Sequence, residues 1–323
     1  SHFSYLFFLH INKNIDQKMN LVKRKIRDMR ELKIQGAENV AKAAVLELKK
    51  CADKSTALTK TRLLRELEKT RQELFKSRAT EPLMRNTLSY ILSNIEGKDA
   101  EELKEGFYSN VKYALDHFRT VENKIADIGA NKIGNGMVVF THCYSPTVMA
   151  ILKKAKQKGR SFEVYNTETR PSLHGRVAAS ELNKLGVPVT HYVDSAMRLA
   201  VKEADIVLLG ADAITPDKVI SKIGSEMVAE LANRYDIPVF VCSNSWRFDY
   251  KSIFDFGGLE PGKAKEIWNN PPKNVKVCNY AFEKIELGLV TAVISEIGVY
   301  RPSVFIEEVK RNYGWMCRDI KLI

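Results

Sequence analysis

The spacing of apolar residues changes at about residue 136. Before that point, apolar residues recur at intervals of three and four, which is the period of a helix buried along one face. The longest stripe of this kind predicts a long amphipathic helix or a coiled-coil-like seam, and we expect Gly129 to cap its end. Its apolar positions are Leu103, Phe107, Val111, Ala114, Phe118, Val121, Ile125 and Ile128.

Earlier residues predict three further helical faces and no strand. Their apolar positions are Val22, Ile26 and Met29; Ala37, Val40, Ala41, Ala44 and Leu48; and Leu63, Leu67 and Leu74, with the last helix ending at about residues 76–80. Because a glycine inside a helix costs about 1 kcal/mol relative to alanine, Gly36 indicates either a packing kink or a break between helices. A break would place a helix N-terminus, which attracts anions, at residues 35–39.

From Gly136 onward, short apolar runs alternate with helical stretches. The strand-like runs are residues 137–141, 162–165, 187–193, 206–209, 237–242, 275–278 and 289–294. The helical stretches are residues 147–157, 175–185, 195–204 and 225–235. This alternation predicts βαβ units and a mostly parallel sheet covered on both faces, so the fold class is α/β.

The length of 323 residues is enough for two domains. We place a helical domain at residues 19–135 and an α/β domain at residues 136–323. Residues 1–18 are interpreted as an N-terminal extension that the fold does not need, because Met19 lies directly before the first helical pattern.

The formal net charge of +12 predicts anionic partners, either phosphorylated small molecules or nucleic acid. The lysines are spread over predicted helices, without zinc-finger spacing or a basic helix carrying aromatics, so we favour small molecules over nucleic acid. The five cysteines are widely spaced and form no CxxC motif, which argues against disulfides and structural zinc and favours a reducing cytoplasm. No apolar run reaches the roughly 18 residues of a membrane span, so no membrane partner is expected.

The segment from Gly136 to Pro146 carries the first candidate chemistry. Residues 137–141 predict a buried strand, and Ser145 followed by Pro146 predicts a helix start. Such a strand-to-helix turn favours bound anions. Cys143 lies in the turn, where a lowered thiol pKa would make it a base or nucleophile. The alternative is that Cys143 ends the strand as a small apolar residue.

Other predicted strands also end in polar residues, at the edge where ligands bind in open α/β sheets. Asp212 follows an apolar strand and Gly210-Ala211; it is either an acid whose pKa is raised by partial burial or a helix-cap or turn aspartate. Arg170 and Arg247 either hold phosphate or form surface ion pairs. Lys222 directly precedes another predicted helix start. Neither a Walker loop nor a GxGxxG motif is present, which argues against nucleotide binding by those routes.

Together these segments resemble one superfamily. The motifs, in order, are Thr141-His142-Cys143-Tyr144-Ser145, Thr167-Glu168-Thr169-Arg170-Pro171 with Gly175-Arg176, Val193-Asp194-Ser195-Ala196, Gly210-Ala211-Asp212-Ala213-Ile214 and Ser221-Lys222-Ile223-Gly224. They are similar to those of the superfamily that unites ribose-1,5-bisphosphate isomerases, methylthioribose-1-phosphate isomerases and the regulatory α, β and δ subunits of eukaryotic initiation factor 2B. The likeness runs from about residue 33 to residue 315 and is strongest to the archaeal ribose-1,5-bisphosphate isomerases.

The resemblance implies a helical N-terminal domain, a Rossmann-like C-terminal domain and a homo-oligomer, either dimer or hexamer. It implies that Cys143 accepts a proton and that Asp212 donates one. A nucleotide activator such as AMP is left open as a further partner. The residues that the resemblance places around phosphate and sugar hydroxyls are Gln35, Gly36, Ala37, Glu38, Arg78, Ser145, Pro146, Thr147, Ser221, Lys222 and Arg247.

The implied reaction converts the aldose ribose 1,5-bisphosphate to the ketose ribulose 1,5-bisphosphate in nucleotide (AMP) salvage. A sugar phosphorylated at its anomeric carbon cannot open its ring spontaneously, so an acid must protonate the ring oxygen. A base must then move a proton between C2 and C1. One acid and one base suffice, so we expect no metal or other cofactor.

Several positions depart from the isomerase pattern and leave two alternatives open. The isomerases usually carry Arg at Gln35, Asn at Ser221, Glu at Asn244 and Lys at Arg247, and Asn-Pro-Ala-Phe-Asp at residues 279–283. Losing a phosphate ligand would suit either a methylthioribose-1-phosphate isomerase, whose substrate has one phosphate, or a non-catalytic regulatory subunit. The presence of both Cys143 and Asp212 favours an enzyme.

Overall fold

The computed structural model describes residues 36–78, 81–93, 95–250 and 261–317. The predictions for residues 1–18, for the face of Val22, Ile26 and Met29, and for Gln35 lie outside these ranges. The chain divides into two compact units, the first ending at Asp116 and the second running from His117 to Cys317. The domain boundary after residue 135 remains a prediction.

The described part of the first unit is helical. It contains α1 (Ala37–Lys54), α2 (Lys60–Ser77), α3 (Pro82–Leu92) and the beginning of α4 (Ala100–Ala130). The predicted faces of α1 and α2 are buried, as are the positions of the α4 stripe from Leu103 to Ile125. These helices are therefore confirmed, whereas α3 was not predicted.

The second unit is built on a seven-stranded sheet. Its strands are β1 (Met137–Thr141), β2 (Phe162–Thr167), β3 (Val189–Tyr192), β4 (Ile206–Gly210), β7 (Val239–Cys242), β9 (Ala292–Ser295) and β10 (Gly298–Tyr300). They lie in the order β10-β9-β7-β4-β1-β2-β3 and are parallel except for the edge strand β10. The order of the six parallel strands is that of dinucleotide-binding folds, which confirms a Rossmann-like α/β domain.

Helices cover both faces of this sheet. They are α5 (Pro146–Gln157), α6 (His174–Lys184), α7 (Met197–Lys202), α8 (Ser225–Arg234) and α9 (Pro302–Asn312). Successive residues of β4 point to opposite faces: Val207 packs in a core with Phe305 of α9, and Leu208 packs in a second core with Ile151 of α5. Burial on both faces explains why these strands read as continuous apolar runs.

A second, three-stranded antiparallel sheet lies in the same unit. Its strands are β5 (Ala213–Ile214), β6 (Lys218–Lys222) and β8 (Phe282–Glu286), in the order β5-β6-β8. None of these strands was predicted. The predicted strand at residues 275–278 is wrong: this segment is irregular, Val275 is 42% exposed, and Pro271-Pro272 precede it. A segment without a buried face gains little from pairing.

Gly129 does not cap α4, which continues to Ala130. A Cβ atom at this position would lie 2.5 Å from Cδ1 of Ile151. The glycine therefore permits close packing of α4 on α5, and the predicted capping role is wrong.

The strand order places a crevice between β1 and β4. The chain leaves β1 for β2 on one side, whereas β4 pairs with β1 on the other side. This reversal is the topological switch point at which open α/β sheets bind ligands, beyond the carboxyl ends of the strands. Cys143 follows β1, and Asp212 follows β4.

A glycine in α6 controls how closely this helix approaches β2. A Cβ atom on Gly175 would lie 1.7 Å from the carbonyl oxygen of Thr167, a backbone atom that cannot move away alone. We expect Gly175→Ala to lower the free energy of unfolding by about 3 kcal/mol or more in urea denaturation. Gly288→Ala is the control, because a Cβ atom there has no neighbour within 4 Å. Equal losses in the two variants would contradict this packing constraint.

Candidate active site

The turn after β1 holds the candidate thiol. Ser145 accepts a hydrogen bond from the backbone N–H of Val148 at 3.4 Å, and Pro146 is the first residue of α5. The predicted helix start is confirmed. Cys143 adopts a left-handed φ of 68°, so the chain turns sharply between strand and helix. Its backbone N–H donates to Oγ1 of Thr169 at 3.0 Å.

The buried imidazole of His142 joins three chain segments. Nε2 lies 2.8 Å from the carbonyl oxygen of Ile223, and Nδ1 lies 2.6 Å from Oγ1 of Thr167. Because a carbonyl only accepts, Nε2 must carry the hydrogen, and Nδ1 then accepts from the threonine hydroxyl. Burial lowers the pKa of His142, which favours this neutral form.

The thiol of Cys143 is partly exposed and contacts a second histidine. Its Sγ lies 3.7 Å from Nδ1 of His174, the first residue of α6. Burial raises the pKa of Cys143 to about 11; a hydrogen bond from the backbone of Tyr144 and the charge of Lys222 act in the opposite direction. Desolvation thus outweighs the positive surroundings, so the expectation that the turn by itself lowers the thiol pKa is wrong.

Asp212 lies across the switch point from the thiol. Its backbone N–H donates to the carbonyl oxygen of Ile220 at 2.9 Å, within the connection between β4 and β5, so it is not a helix cap. Its side chain is 39% exposed and lies 3.9 Å from Nη1 of Arg247. The charge of Asp212 also raises the pKa of Cys143, so the two groups interact electrostatically.

Gly210 allows the end of β4 to pass close to the turn after β1. A Cβ atom on Gly210 would lie 2.5 Å from Oγ of Ser145. The carbonyl oxygen of Gly210 accepts a hydrogen bond from Oγ of Ser221 at 2.8 Å. The ends of β1, β4 and β6 are thereby brought together around the crevice.

Arg247 provides one cation at this edge. It ends the short 3-10 helix Ser245–Arg247 after β7, and its side chain is only 15% exposed. Nη1 donates to the carbonyl oxygen of Ala211, whereas the buried Nε has no hydrogen-bond partner among the described residues. The guanidinium therefore keeps a donor for an anion, although it also forms the ion pair with Asp212, which is half-buried.

The segment before Arg247 is fixed by buried groups. The carboxylate of Glu296 accepts hydrogen bonds from both the backbone N–H and the hydroxyl of Ser245. Trp246 is fully buried and stacks on His117, with ring centroids 4.0 Å apart. These contacts limit the positions open to the neighbouring arginine.

Lys222 provides a second cation, at the end of β6. Its charge partly offsets the burial that raises the pKa of Cys143, and it adds to the burial that lowers the pKa values of His142 and His174. The neighbouring Ser221 is buried and contacts Oγ of Ser225 at 3.1 Å. The positive field of Lys222 thus reaches the thiol side of the crevice.

The helix start that follows Lys222 already holds a carboxylate. Oε1 of Glu283 accepts from the backbone N–H of Glu226 at 2.6 Å, and the backbone of Gly224 and of Ser225 also hydrogen bonds this side chain. Burial raises the pKa of Glu283 despite these bonds. The N-terminus of α8 is therefore capped by the protein itself and is not an open anion site.

The remaining predicted site residues are divided between the two units. In the first unit, Gly36 (φ 85°) precedes the first turn of α1, which contains Ala37 and Glu38, so the predicted helix N-terminus is confirmed. Arg78 follows α2 and forms an ion pair with Glu81 at 2.9 Å. In the second unit, Arg170 is exposed and donates to the carbonyl oxygen of Ile267 at 3.4 Å. Pro146 and Thr147 lie in the first turn of α5.

Sequence reasoning missed the groups that organise the site. His142 lies inside the motif Thr141-His142-Cys143-Tyr144-Ser145, but nothing in the local sequence shows that it bonds to Thr167 and Ile223. His174 is 31 positions from Cys143, so no spacing rule connects them. Glu283 reaches α8 from β8, a strand that was not predicted. Only the sheet topology brings these residues together.

The described residues offer neither a metal site nor a membrane span. No group of three or more His, Cys, Asp and Glu side chains there is arranged to hold a metal ion. None of the described helices combines the length and the apolar character needed to cross a membrane.

The fold and this arrangement define a Rossmann-like α/β protein that carries a thiol, a carboxylate and two cations at its switch point. Residues 33–302 match the model of the initiation factor 2 subunit family, and the chain belongs to that family. This confirms the superfamily resemblance read from the motifs.

Relatives with two different names are similar to this chain. Ribose 1,5-bisphosphate isomerase of Pyrococcus furiosus is 31% identical over 302 residues, covering 89% of this chain and 92% of the relative. Methylthioribose-1-phosphate isomerase of Pelotomaculum thermopropionicum is 30% identical over 313 residues, covering 90% of this chain and 86% of the relative. The solved structure of translation initiation factor eIF-2B from Pyrococcus horikoshii OT3 superimposes with a TM-score of 0.74 at 26% identity, covering 87% of this chain and 97% of that chain.

The hydrogen bond from Thr167 to His142 can be removed with little change of shape. We expect Thr167→Val to lower the free energy of unfolding by about 1–3 kcal/mol, because the buried Nδ1 loses its donor. The control is Thr190→Val in β3, whose hydroxyl donates to Glu163 at 2.7 Å in a partly exposed position, and we expect a smaller loss there. Urea denaturation at pH 7 measures both; equal losses would contradict the bridging role of His142.

The neutral state of His142 predicts a pH dependence of stability. Its folded-state pKa is below the ordinary value of 6.5, so the unfolded chain binds a proton more readily than the folded protein. The contribution to stability is full above pH 6.5 and is lost as the pH falls below that value. We expect the decrease in free energy of unfolding between pH 7 and pH 5 to be smaller in His142→Gln than in the wild type. The control is His191→Gln at an exposed histidine, and an equal reduction of the decrease in both variants would contradict the assignment to His142.

Proposed function

We propose that this protein is an aldose–ketose isomerase that converts α-D-ribose 1,5-bisphosphate to D-ribulose 1,5-bisphosphate. The observation that carries the proposal is the placement of Cys143 and Asp212 at the carboxyl ends of adjacent parallel strands, with Lys222 and Arg247 beside them. Cys143 as thiolate supplies a base, Asp212 as protonated carboxyl group supplies an acid, and the cations suit a phosphorylated sugar. Relatives named ribose 1,5-bisphosphate isomerase support the same substrate.

The reaction needs two proton transfers that these residues can supply. Asp212 donates a proton to the ring oxygen, the bond between C1 and that oxygen breaks, and the C4 hydroxyl forms. Cys143, as thiolate, takes the proton from C2, and a double bond forms between C1 and C2. Cys143 then returns a proton to C1 while the C2 hydroxyl gives its proton to Asp212. Both groups end in their starting states.

Substrate binding in this proposal draws on the residues at the switch point. Arg247 has an unpartnered buried Nε among the described residues and suits a phosphate oxygen. Ser145 to Thr147 present the start of α5, whose orientation favours an anion. Ser221 and Lys222 lie at the end of β6. We propose further substrate contacts at Gln35, Gly36, Ala37, Glu38, Arg78 and Arg170.

One observation favours a second candidate, a methylthioribose-1-phosphate isomerase. Glu283 occupies the backbone amides at the start of α8, so this helix end is closed to a second phosphate. A substrate with one phosphate would not need that site. A relative of that name is similar to this chain at nearly the same identity. An assay with both sugars as substrates separates the two reactions.

A regulatory role without catalysis is the remaining alternative. The solved structure named translation initiation factor eIF-2B shares this fold. A regulatory protein has no chemical need of a thiol and a carboxylate at the switch point, so the presence of Cys143 and Asp212 favours the enzyme.

The proposal extends to the setting of the reaction. Phosphorolysis of a nucleoside monophosphate leaves a ribose that carries phosphate at C1 and C5, so the substrate points to nucleotide (AMP) salvage. We further propose a homo-oligomer, dimer or hexamer, and we retain a nucleotide such as AMP as a candidate activator.

Two substitutions test the assigned roles. We expect Cys143→Ser and Asp212→Asn each to reduce turnover of α-ribose 1,5-bisphosphate at least about 100-fold, because each removes a proton-transfer group. Proton NMR of the purified protein with this sugar measures ketose formation. The controls are Cys278→Ser at an exposed thiol and Asp236→Asn at an exposed left-handed position that Asn tolerates.

The outcomes separate the three functions. Turnover of the bisphosphate that is lost only in the two site variants supports the proposal. Turnover of methylthioribose 1-phosphate alone selects the second candidate. Absence of turnover with either sugar, while the bisphosphate still raises the melting temperature of the wild type, would favour the regulatory role.

A further inference from the structure

The contact between Cys143 and His174 has no part in the reaction described so far. Sγ and Nδ1 lie 3.7 Å apart, within hydrogen-bond distance for sulfur. The main chain is fixed at both residues: the backbone N–H of Cys143 donates to Thr169, and His174 is the first residue of α6. Gly175 follows His174 and fixes the start of α6 against β2. The contact is therefore built by two ordered segments.

A buried thiol is a poor base without a proton acceptor. Burial raises the pKa of Cys143 to about 11. At pH 7 a thiol with that pKa is ionised in only about one molecule in ten thousand. A neighbouring imidazole that takes the proton produces a pair with no net charge, which costs less to bury than an isolated thiolate.

We propose that His174 is a positioning residue that accepts the proton of the Cys143 thiol and holds the thiolate as an imidazolium–thiolate pair. This inference rests on the proposed function, in which the thiolate of Cys143 is the base. It goes beyond that function because it names the residue that removes the proton from the thiol, a residue that does not itself react with the sugar.

The proton balance is simple. The S–H bond of Cys143 breaks, and its proton moves to Nδ1 of His174. The same contact serves both states, because Nδ1 accepts from the thiol before the transfer and donates to the thiolate after it. During turnover the thiolate takes a proton from C2 and returns one to C1, so His174 keeps its proton throughout. No external acid or base is consumed.

Other charged groups act on this pair from three further segments. Burial and, to a smaller extent, the charge of Lys222 of β6 lower the pKa of His174, which opposes the imidazolium. The same charge partly offsets the burial that raises the pKa of Cys143, which favours the thiolate. Asp212, after β4, and Asp194, after β3, raise the pKa of Cys143. The three charges act on the pair in opposing directions, so the direct contact with His174 is the feature that can decide where the proton resides.

The thiolate can be observed directly by its absorbance near 240 nm. The difference spectrum between a protein with Cys143 and the matching Cys143→Ser protein cancels the other four cysteines. We expect the titration of Cys143 to lie at least one pH unit lower with His174 than in His174→Gln, which corresponds to a tenfold or greater change in thiolate fraction below the midpoint. His191→Gln, a substitution of an exposed histidine in β3, should leave the titration unchanged.

Two results would overturn the proposal. Coincident titrations in the wild type and in His174→Gln would mean that the imidazole does not hold the proton. Absence of a thiolate signal below pH 9 in the wild type would do the same, and this result does not depend on whether His174→Gln folds.

Kinetics supply the second readout. We expect His174→Gln to lower kcat for the bisphosphate by roughly tenfold to a hundredfold with little change in KM, because binding groups are untouched. If Cys143 titrates differently in the wild type and in His174→Gln, but the wild type turns over neither sugar, the result would support the pair and refute the proposed function. Coincident titrations in a protein that does turn over the bisphosphate would refute the pair and leave the function standing.

Discussion

The neutral imidazole of His142 is the constraint on which the candidate site depends. It bonds to the end of β2 through Thr167 and to the turn between β6 and α8 through Ile223. Gly224 makes this contact possible, because a Cβ atom there would lie 2.8 Å from Nε2 of His142. Since both bonds are buried and directional, they fix the end of β1 relative to the segments that carry Thr169 and Lys222. The thiol beside His142 is positioned as a consequence.

The electrostatics of the site reflect competition between burial and charge. Burial disfavours the ionised forms of Cys143, Glu283 and Glu296, and it keeps His142 neutral. Lys222 offsets part of this penalty at the thiol, and Arg247 lies 3.9 Å from the carboxylate of Asp212. Two cations therefore lie beside groups whose ionised forms are disfavoured by burial, which suits a ligand that brings negative charge with it.

The sequence contains the elements more clearly than the site. Periodicity is a local property, so the stripe from Leu103 to Ile125 and the buried runs of β1 and β4 could be recognised directly. The strand ends could also be recognised as polar. The small sheet could not, because β5 has two residues and β8 is placed by pairing with β6 across a long stretch of chain. For the same reason the pairing of Cys143 with His174 and the capping of α8 by Glu283 follow only from topology. The pKa of Cys143 could not be predicted, because the sequence indicates a turn with positive surroundings but does not show how deeply the thiol is buried.

The anchoring of Ser245 by Glu296 has a consequence for biosynthesis. The candidate site begins at His142, yet the carboxylate that fixes the segment before Arg247 lies in the turn after β9, some 150 positions later. A nascent chain on the ribosome can therefore form β1, α5 and β2 well before the residues that complete the crevice have been made. During that interval Cys143 and the apolar edges of the first strands remain uncovered. Slower translation of the last third of the chain would therefore lengthen the time for which this thiol and these strand edges are exposed to chaperones, oxidants and one another.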